Sequence, residues 1–364
     1  MRIVVAGGGY GGLACLTELR RRISDAELVL LDPEDNHLKM THLHETVRRP
    51  VQDYLFSYQQ LGKRNCFEHI AHSFDHEQLD SIASSSVIHI DGNSLAFDYL
   101  VLATGARPPR LPKGQFVFDR DDLRTQNTAE IVKKFLSKDE PDRVVTVGGG
   151  GPSGIQILFE LVHHFKTKNF KARFRLVDRD GSLLEEFPQK IGSYVLEKLQ
   201  KADIEYLPET EYMSVDGDRL NLRKLSNGQT ISVASGLTFL FPGVRANPEL
   251  RCDRFGRIND FENIYAAGDC ARFDSRGDDQ LTAQVAVRQG KLVASNIDRT
   301  SRGARPLEYF FKELGYVVSL GPLDAVGWLL SKNNVVQGLP AFAVKELVEA
   351  QYDLFVAGID TYII

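Results

Sequence analysis

The sequence is poor in cysteine. Four residues, Cys15, Cys66, Cys252 and Cys270, are scattered over 364 positions, with no CxxC or CxxxxC pair. That excludes a disulfide framework and a zinc site built on paired cysteines, and it points to a reducing, cytoplasmic compartment. No uninterrupted apolar stretch approaches the roughly 20 residues of a membrane span. No cationic segment with an apolar core precedes the first strand, so no secretory signal is expected. Long basic runs are also missing and the formal net charge is -5, which argues against nucleic acid as a partner. The groups His37, His42, His44 and His69, His72, His76 have no acids or cysteines at ligand spacing, so no metal is expected.

Glycine is plentiful, with 30 residues, and it is concentrated twice. Gly7-Gly8-Gly9-Tyr10-Gly11-Gly12 follows the apolar run Ile3-Val4-Val5-Ala6. Gly149-Gly150-Gly151-Pro152-Ser153-Gly154 follows Val144-Val145-Thr146-Val147. Each reads as strand, tight loop and helix, with Leu13 to Arg22 and Ile155 to Phe165 as the helices. The first glycine permits the turn, the next lets backbone approach a pyrophosphate, and the last lets helix and strand pack closely. The phosphate then meets free N–H groups at the positive end of the helix dipole.

The strand after each helix ends in an acid. Leu28-Val29-Leu30-Leu31 leads to Asp32, and Arg173 to Val177 leads to Asp178. A carboxylate there accepts from a ribose hydroxyl pair and repels the extra phosphate of NADP. NADH is therefore favoured at the second loop. Arg179, which follows at once, could pair with that phosphate and leaves NADPH open. Two dinucleotides on one chain point to hydride transfer between them.

Two further segments are Tyr99-Leu100-Val101-Leu102-Ala103-Thr104-Gly105-Ala106 and Ile264-Tyr265-Ala266-Ala267-Gly268-Asp269-Cys270-Ala271. With the N-terminal fingerprint they resemble, over residues 1–320, the motif set of the pyridine nucleotide-disulfide oxidoreductase superfamily. The resemblance implies FAD on Gly7, Gly9, Tyr10, Gly11, Gly12 and Asp32, closed by Ala103, Thr104 and Gly105. Asp269, after Gly268, would reach the ribityl chain. Taken alone, Asp269 could equally be the N-cap of a following helix. NAD(P)H would sit on Gly149, Gly151, Pro152, Ser153, Gly154, Asp178 and Arg179. Ala71, Gly243 and Ala283 complete the implied cofactor positions.

No cysteine pair lies beside the flavin, which removes a thiol–disulfide relay. Leu281-Thr282-Ala283-Gln284-Val285-Ala286-Val287-Arg288-Gln289-Gly290 is similar to the flavin and quinone helix of the type II NADH:quinone dehydrogenases. Gly181 to Pro188 and Phe310 to Gly321 also resemble that branch. There are departures: Arg288 replaces a glutamine, Gln156 stands where many members have a glutamate, and Met40 to Glu45 replaces a Phe-x-Pro-Leu-Leu segment. The resemblance implies a quinone or other small acceptor, with Gln284 and Arg288 beside it. His44 (or His42) is the candidate proton donor to the reduced acceptor, with ordinary loop residues as the other reading. Two other functions stay open: reduction of a small ferredoxin- or rubredoxin-type protein, and a non-catalytic FAD/NADH redox sensor.

The expected fold is α/β, with two Rossmann-like dinucleotide-binding domains and a small C-terminal α+β region. The FAD domain would comprise residues 1–112 and 246–300, split by an NAD(P) domain at 113–245, with 301–364 as the C-terminal region. There Ala341 to Ala357 reads as a helix with Phe342, Leu347, Val348, Phe355 and Val356 on its apolar side. Its acids outnumber its single lysine, so packing on the flavin domain or in a homodimer is favoured over an anionic membrane. The apolar ending Tyr362-Ile363-Ile364 leaves weak contact with the inner face of a membrane open.

Overall fold

The computed structural model describes residues 1–137, 143–246 and 248–361, so the ending Tyr362-Ile363-Ile364 lies outside the described residues. Two five-stranded sheets dominate. The first runs Ile264–Ala266, Tyr99–Leu102, Arg2–Ala6, Glu27–Leu31, Phe67–Ile70, every pair parallel. The second repeats the pattern as Glu205–Leu207, Arg173–Val177, Val144–Gly148, Leu237–Leu240, Val117–Asp119, again all parallel. Ile3, Val4, Val5 and Ala6 are fully buried, as a parallel strand covered on both faces must be. The strand Ile264–Ala266 returns to the first sheet after the whole second sheet has been laid down. The first unit is therefore split in sequence and continuous in space.

Four helices frame the ends of these sheets. Helix α1 (Tyr10–Arg22) starts at extended Gly9 and ends on Arg20, Arg21 and Arg22, cations that suit the negative end of its dipole. Helix α2 (Pro152–Thr167) starts behind Gly151 with Pro152 in its first turn, where the missing N–H costs no hydrogen bond. Helix α3 (Ala283–Ser301) is capped by Thr282, whose hydroxyl accepts from Val285 N at 3.2 Å. It packs along α1 so closely that a Cβ on Gly290 would lie 2.1 Å from Gly11 O. Helix α4 (Leu339–Val356) follows an antiparallel three-stranded sheet, Gly315–Ser319, Ala325–Leu329 and Ser331–Gln337.

Three expectations are corrected. No helix follows Asp269: Gly268-Asp269-Cys270 is a turn that leads into the strand Ala271–Phe273, so the N-cap reading falls away. On α4 the buried residues are Ala341, Lys345, Tyr352, Phe355 and Val356, while Leu347 is 72% exposed and Val348 41%. The helix is rotated from the face its apolar residues suggested, because Lys345 and Glu349 find partners in the interior. The segment expected as a loop at Met40–Val47 is a 3-10 helix that buries His42, Leu43, His44, Thr46 and Val47.

Candidate active site

The expected cofactor residues cluster just beyond the carboxyl ends of the strands of both sheets, where open parallel sheets receive ligands. Gly7 (φ +105°) turns so tightly that a Cβ would sit 2.2 Å from Ala103 O. This brings the fingerprint against Ala103, Thr104 and Gly105. Gly12 is fixed by its 1.8 Å clearance to Gly7 O. Gly9 faces open space, with nothing within 4 Å of an added Cβ, at the N-terminus of α1. That is the place a pyrophosphate needs.

Asp32 is anchored beside this loop. Its Oδ2 accepts from Gly8 N at 2.6 Å and its Oδ1 from Glu34 N at 2.9 Å. Ala71 follows the neighbouring strand, whose Ile70 O accepts from Asp32 N at 3.3 Å. Gly11 lies 3.3 Å, measured from an added Cβ, from Gly268 N, so the Gly268-Asp269 turn reaches the same mouth. Burial pushes the Asp269 carboxyl up, and Arg120 and Arg272 pull it back. Tyr10, at the start of α1, is turned to the other side, onto the rings of His37 and Tyr352.

The second loop copies the first. Gly149 (φ +113°) would meet Phe241 O at 2.1 Å and Gly154 would meet Gly149 O at 1.9 Å, while Gly151 again faces open space. Pro152 and Ser153 form the first turn of α2. Gly243, at φ +81°, is open too. Asp178 is buried and its Oδ2 has no hydrogen-bond partner. A buried orphan carboxylate oxygen is costly unless a donor arrives, and a ribose hydroxyl supplies one. Arg179 is exposed and lies 3.5 Å from Glu211, so its charge is already engaged by an acid.

A family model for pyridine nucleotide-disulphide oxidoreductases matches residues 1–290. The chain belongs to that family. The type II NADH:quinone oxidoreductase of Staphylococcus aureus (strain NCTC 8325 / PS 47) is 24% identical over 397 residues, spanning 98% of this chain and 96% of the relative. Among solved structures, the sulfide:quinone oxidoreductase of Aquifex aeolicus superposes with a TM-score of 0.82 at 17% identity, over 99% of this chain and 92% of that one. The Plasmodium falciparum NDH2 complex with NADH gives 0.79 at 16% identity, over 96% and 94%. At those identities the structural likeness establishes the fold.

In this pyridine nucleotide-disulphide oxidoreductase the four cysteines are free, and Cys15, Cys252 and Cys270 are buried. The acceptor-side candidates are brought together in part. Gln284 and Arg288 lie one turn apart on α3 and both face residues 311–315. The Gln284 amide spans Gly315 O and Leu314 N, each at 3.4 Å, and the Arg288 guanidinium lies 5.1 Å from the Phe311 ring centre. Ala283 begins the helix, beside Thr282, whose hydroxyl donates to Glu313 at 2.9 Å.

His44 does not fit its expected role. It is 5% exposed, and burial with the Lys345 charge holds its imidazole well below the usual range. A neutral ring of that kind is a poor acid at neutral pH. His42 is held at about 3 for the same first reason.

Two positions at the site were missed in the sequence. Arg120 is largely buried, donates to Ala106 O at 3.0 Å and has Asp269 in its field. Gln289 is 1% exposed and accepts from Gly268 N at 2.8 Å, holding the Asp269 turn. Gln289 stood inside the quoted helix motif, but its neighbour Gln284 drew the assignment. For Arg120 only its place behind the Asp119 cap offered any signal.

Proposed function

We propose that the protein is an FAD-dependent NADH dehydrogenase that passes electrons to a quinone. The observation that carries this is the doubled cradle: two open glycine loops at two parallel-sheet ends, each with an acid at the end of the neighbouring strand. Its curated relatives over nearly the full length are named as type II NADH:quinone oxidoreductases. Residues 1–112 and 246–300 form the FAD unit, 113–245 the NADH unit, and 301–364 the acceptor-side cover.

Bound FAD supplies the two-electron carrier between nicotinamide and acceptor. Asp32 holds its ribose, the Gly7–Gly12 loop its pyrophosphate, and Asp269, steadied by Gln289 and Arg120, its ribityl chain. Asp178 orients NADH by accepting from the adenosine ribose. Gln284 and Arg288 shape the acceptor side through residues 311–315. Positioning of this kind is most of what hydride transfer asks of a protein. Among the described residues no helix is long and apolar enough to cross a membrane. The C-terminal region does expose Phe310, Leu314, Leu330 and Leu347, side chains suited to rest on a membrane surface or a second subunit.

Anaerobic stopped-flow tests this directly. NADH should bleach the flavin absorbance rapidly, and a naphthoquinone should restore it. Bleaching that takes many minutes would remove the enzyme reading in favour of a sensor. Restoration by a ferredoxin but by no quinone would replace the acceptor. In the same assay Asp178→Ala should weaken NADH by about 10- to 100-fold, the worth of a hydrogen bond to a charged group. NADPH should lose far less. Equal losses for the two nucleotides would count against the ribose role.

A further inference from the structure

Helix α4 turns a charged face inward. Lys345 is 6% exposed and the Glu349 side chain 13%. Glu349 Oε2 accepts from the Thr41 hydroxyl at 2.9 Å and lies 3.4 Å from His42 Nδ1, while Lys345 Nζ is 3.9 Å from its other oxygen. Thr41 Oγ1 is in turn 3.1 Å from the hydroxyl of Tyr10, inside the first glycine fingerprint. A polar line therefore runs from α4, through two hydroxyls, to the dinucleotide loop.

Each hydroxyl both donates and accepts, so the line can reverse its polarity. With Glu349 ionised, Tyr10 donates to Thr41 and Thr41 to Glu349. With Glu349 protonated, every donor turns round and a proton moves toward the loop. The other end reaches solvent. Asp353 is half exposed and pairs at 2.7 Å with Lys39, whose charge is felt at Glu349. On the far side of His42, Nε2 lies 3.8 Å from Glu45. Tyr316, on the strand Gly315–Ser319, lies in the field of both Glu349 and Glu313. Burial raises the Glu349 carboxyl above its usual range, against the pull of Lys345 and Lys39 and with Asp353 adding to the rise. It holds a proton nearer neutral pH than an exposed glutamate does.

We propose that Glu349 supplies the proton that quinone reduction consumes beyond the hydride, passing it through the Thr41 and Tyr10 hydroxyls. This rests on the quinone reading of the acceptor. Per turnover one C–H bond of NADH breaks and two O–H bonds form on the acceptor. The hydride brings two electrons and one proton, and the Glu349 carboxyl brings the second proton. The carboxylate left behind is reloaded from water at the Asp353 end. NADH, one proton and quinone thus become NAD+ and quinol.

The test compares turnover with a quinone, which needs the proton, and with ferricyanide, which takes electrons alone. Proteins are purified with flavin bound, and the flavin spectrum checks folding. Glu349→Gln should lower the quinone-to-ferricyanide ratio by about 10²-fold, the lower end of general-acid catalysis. It should also flatten the pH profile of the quinone reaction. Glu349→Asp should recover part of the loss, and Thr41→Val, which keeps the acid and cuts the line, should lower the ratio too. A ratio and pH profile unchanged in Glu349→Gln and Thr41→Val overturn the proposal alone. Wild-type protein that reduces ferricyanide but no quinone overturns the acceptor reading, and the proposal with it.

Discussion

Acidification from pH 6.5 toward 4 should strip away most of the protein's stability. Three histidines on or beside the Met40–Val47 turn are buried neutral. His37 is held at about 4, first by burial and then by the charges of Lys39 and Arg124. His42 is held at about 3 by burial, Lys39 and Lys345. His44 lies well below the ordinary value of 6.5, by burial and Lys345. Each is depressed in the folded chain, so the unfolded chain binds more protons. Stability from these groups is complete above 6.5 and is lost as pH falls toward the folded values. Three such groups give a slope of about 4 kcal/mol per pH unit, at 1.36 kcal/mol for each proton. Against a total of about 5–15 kcal/mol, two pH units suffice.

Glu160 and Glu349 oppose this trend. Burial raises both above 4.5, so each stabilises the fold as pH falls through its own raised value. Two carboxyls against three histidines leave the net sign with the histidines, joined by His76 and His164, which burial also lowers. Urea midpoints between pH 7.5 and 4.5 measure the slope, and a His42→Gln, His44→Gln pair should flatten it by about two protons. A flat wild-type profile would falsify the buried-neutral assignment.

The two sheets were legible because their signals are local. A strand, its glycine turn, its helix and the acid ending the next strand all fall within about 30 residues. The geometry at Gly12 and Gly154 is dictated by that short stretch alone. The Met40–Val47 turn was not legible, since what buries His42 and His44 lies elsewhere. Its partners are Thr128, whose hydroxyl is 2.7 Å from that of Thr46, Glu160, and α4 some 300 residues on. The same distance in sequence hid the face of α4. Apolar patterning placed Leu347 and Val348 inside. Lys345, Glu349 and Tyr352 displaced them because Thr41, His42 and His37 were waiting, the last accepting from the Tyr352 hydroxyl at 2.9 Å. That bond also settles the tautomer of His37. Its Nε2 accepts from Tyr352, so Nδ1 carries the hydrogen and donates to Gly8 O at 3.1 Å.

Replacing Arg48 by alanine should cost about 3–5 kcal/mol, the penalty for stranding a buried charge. Glu160 on α2 is 1% exposed, and both its oxygens are engaged by the Arg48 guanidinium, Nη2 at 3.1 Å from Oε1 and Nε on Oε2. This pair ties the turn that carries Thr41 and His42 to the helix behind the second glycine loop. Even with Arg48 in place, burial outweighs it and holds the Glu160 carboxyl above its usual range, with Glu45 adding to the rise and His163 opposing it. Without Arg48 the acid can escape only by taking a proton. The loss should therefore be small near pH 4.5 and grow as pH rises through the folded value, opposite in sense to the histidine effect. Pairing Arg48→Met with Glu160→Leu should recover most of it, because matched apolar groups need no desolvated charge. Denaturant midpoints of the four-member cycle at pH 5 and 8 give the coupling energy. A value under about 1 kcal/mol, typical of an exposed pair, would mean that water reaches Glu160. The turn would then be held by Thr46 and its apolar neighbours instead, and Arg48→Ala would leave the pH profile of quinone turnover where the wild type has it.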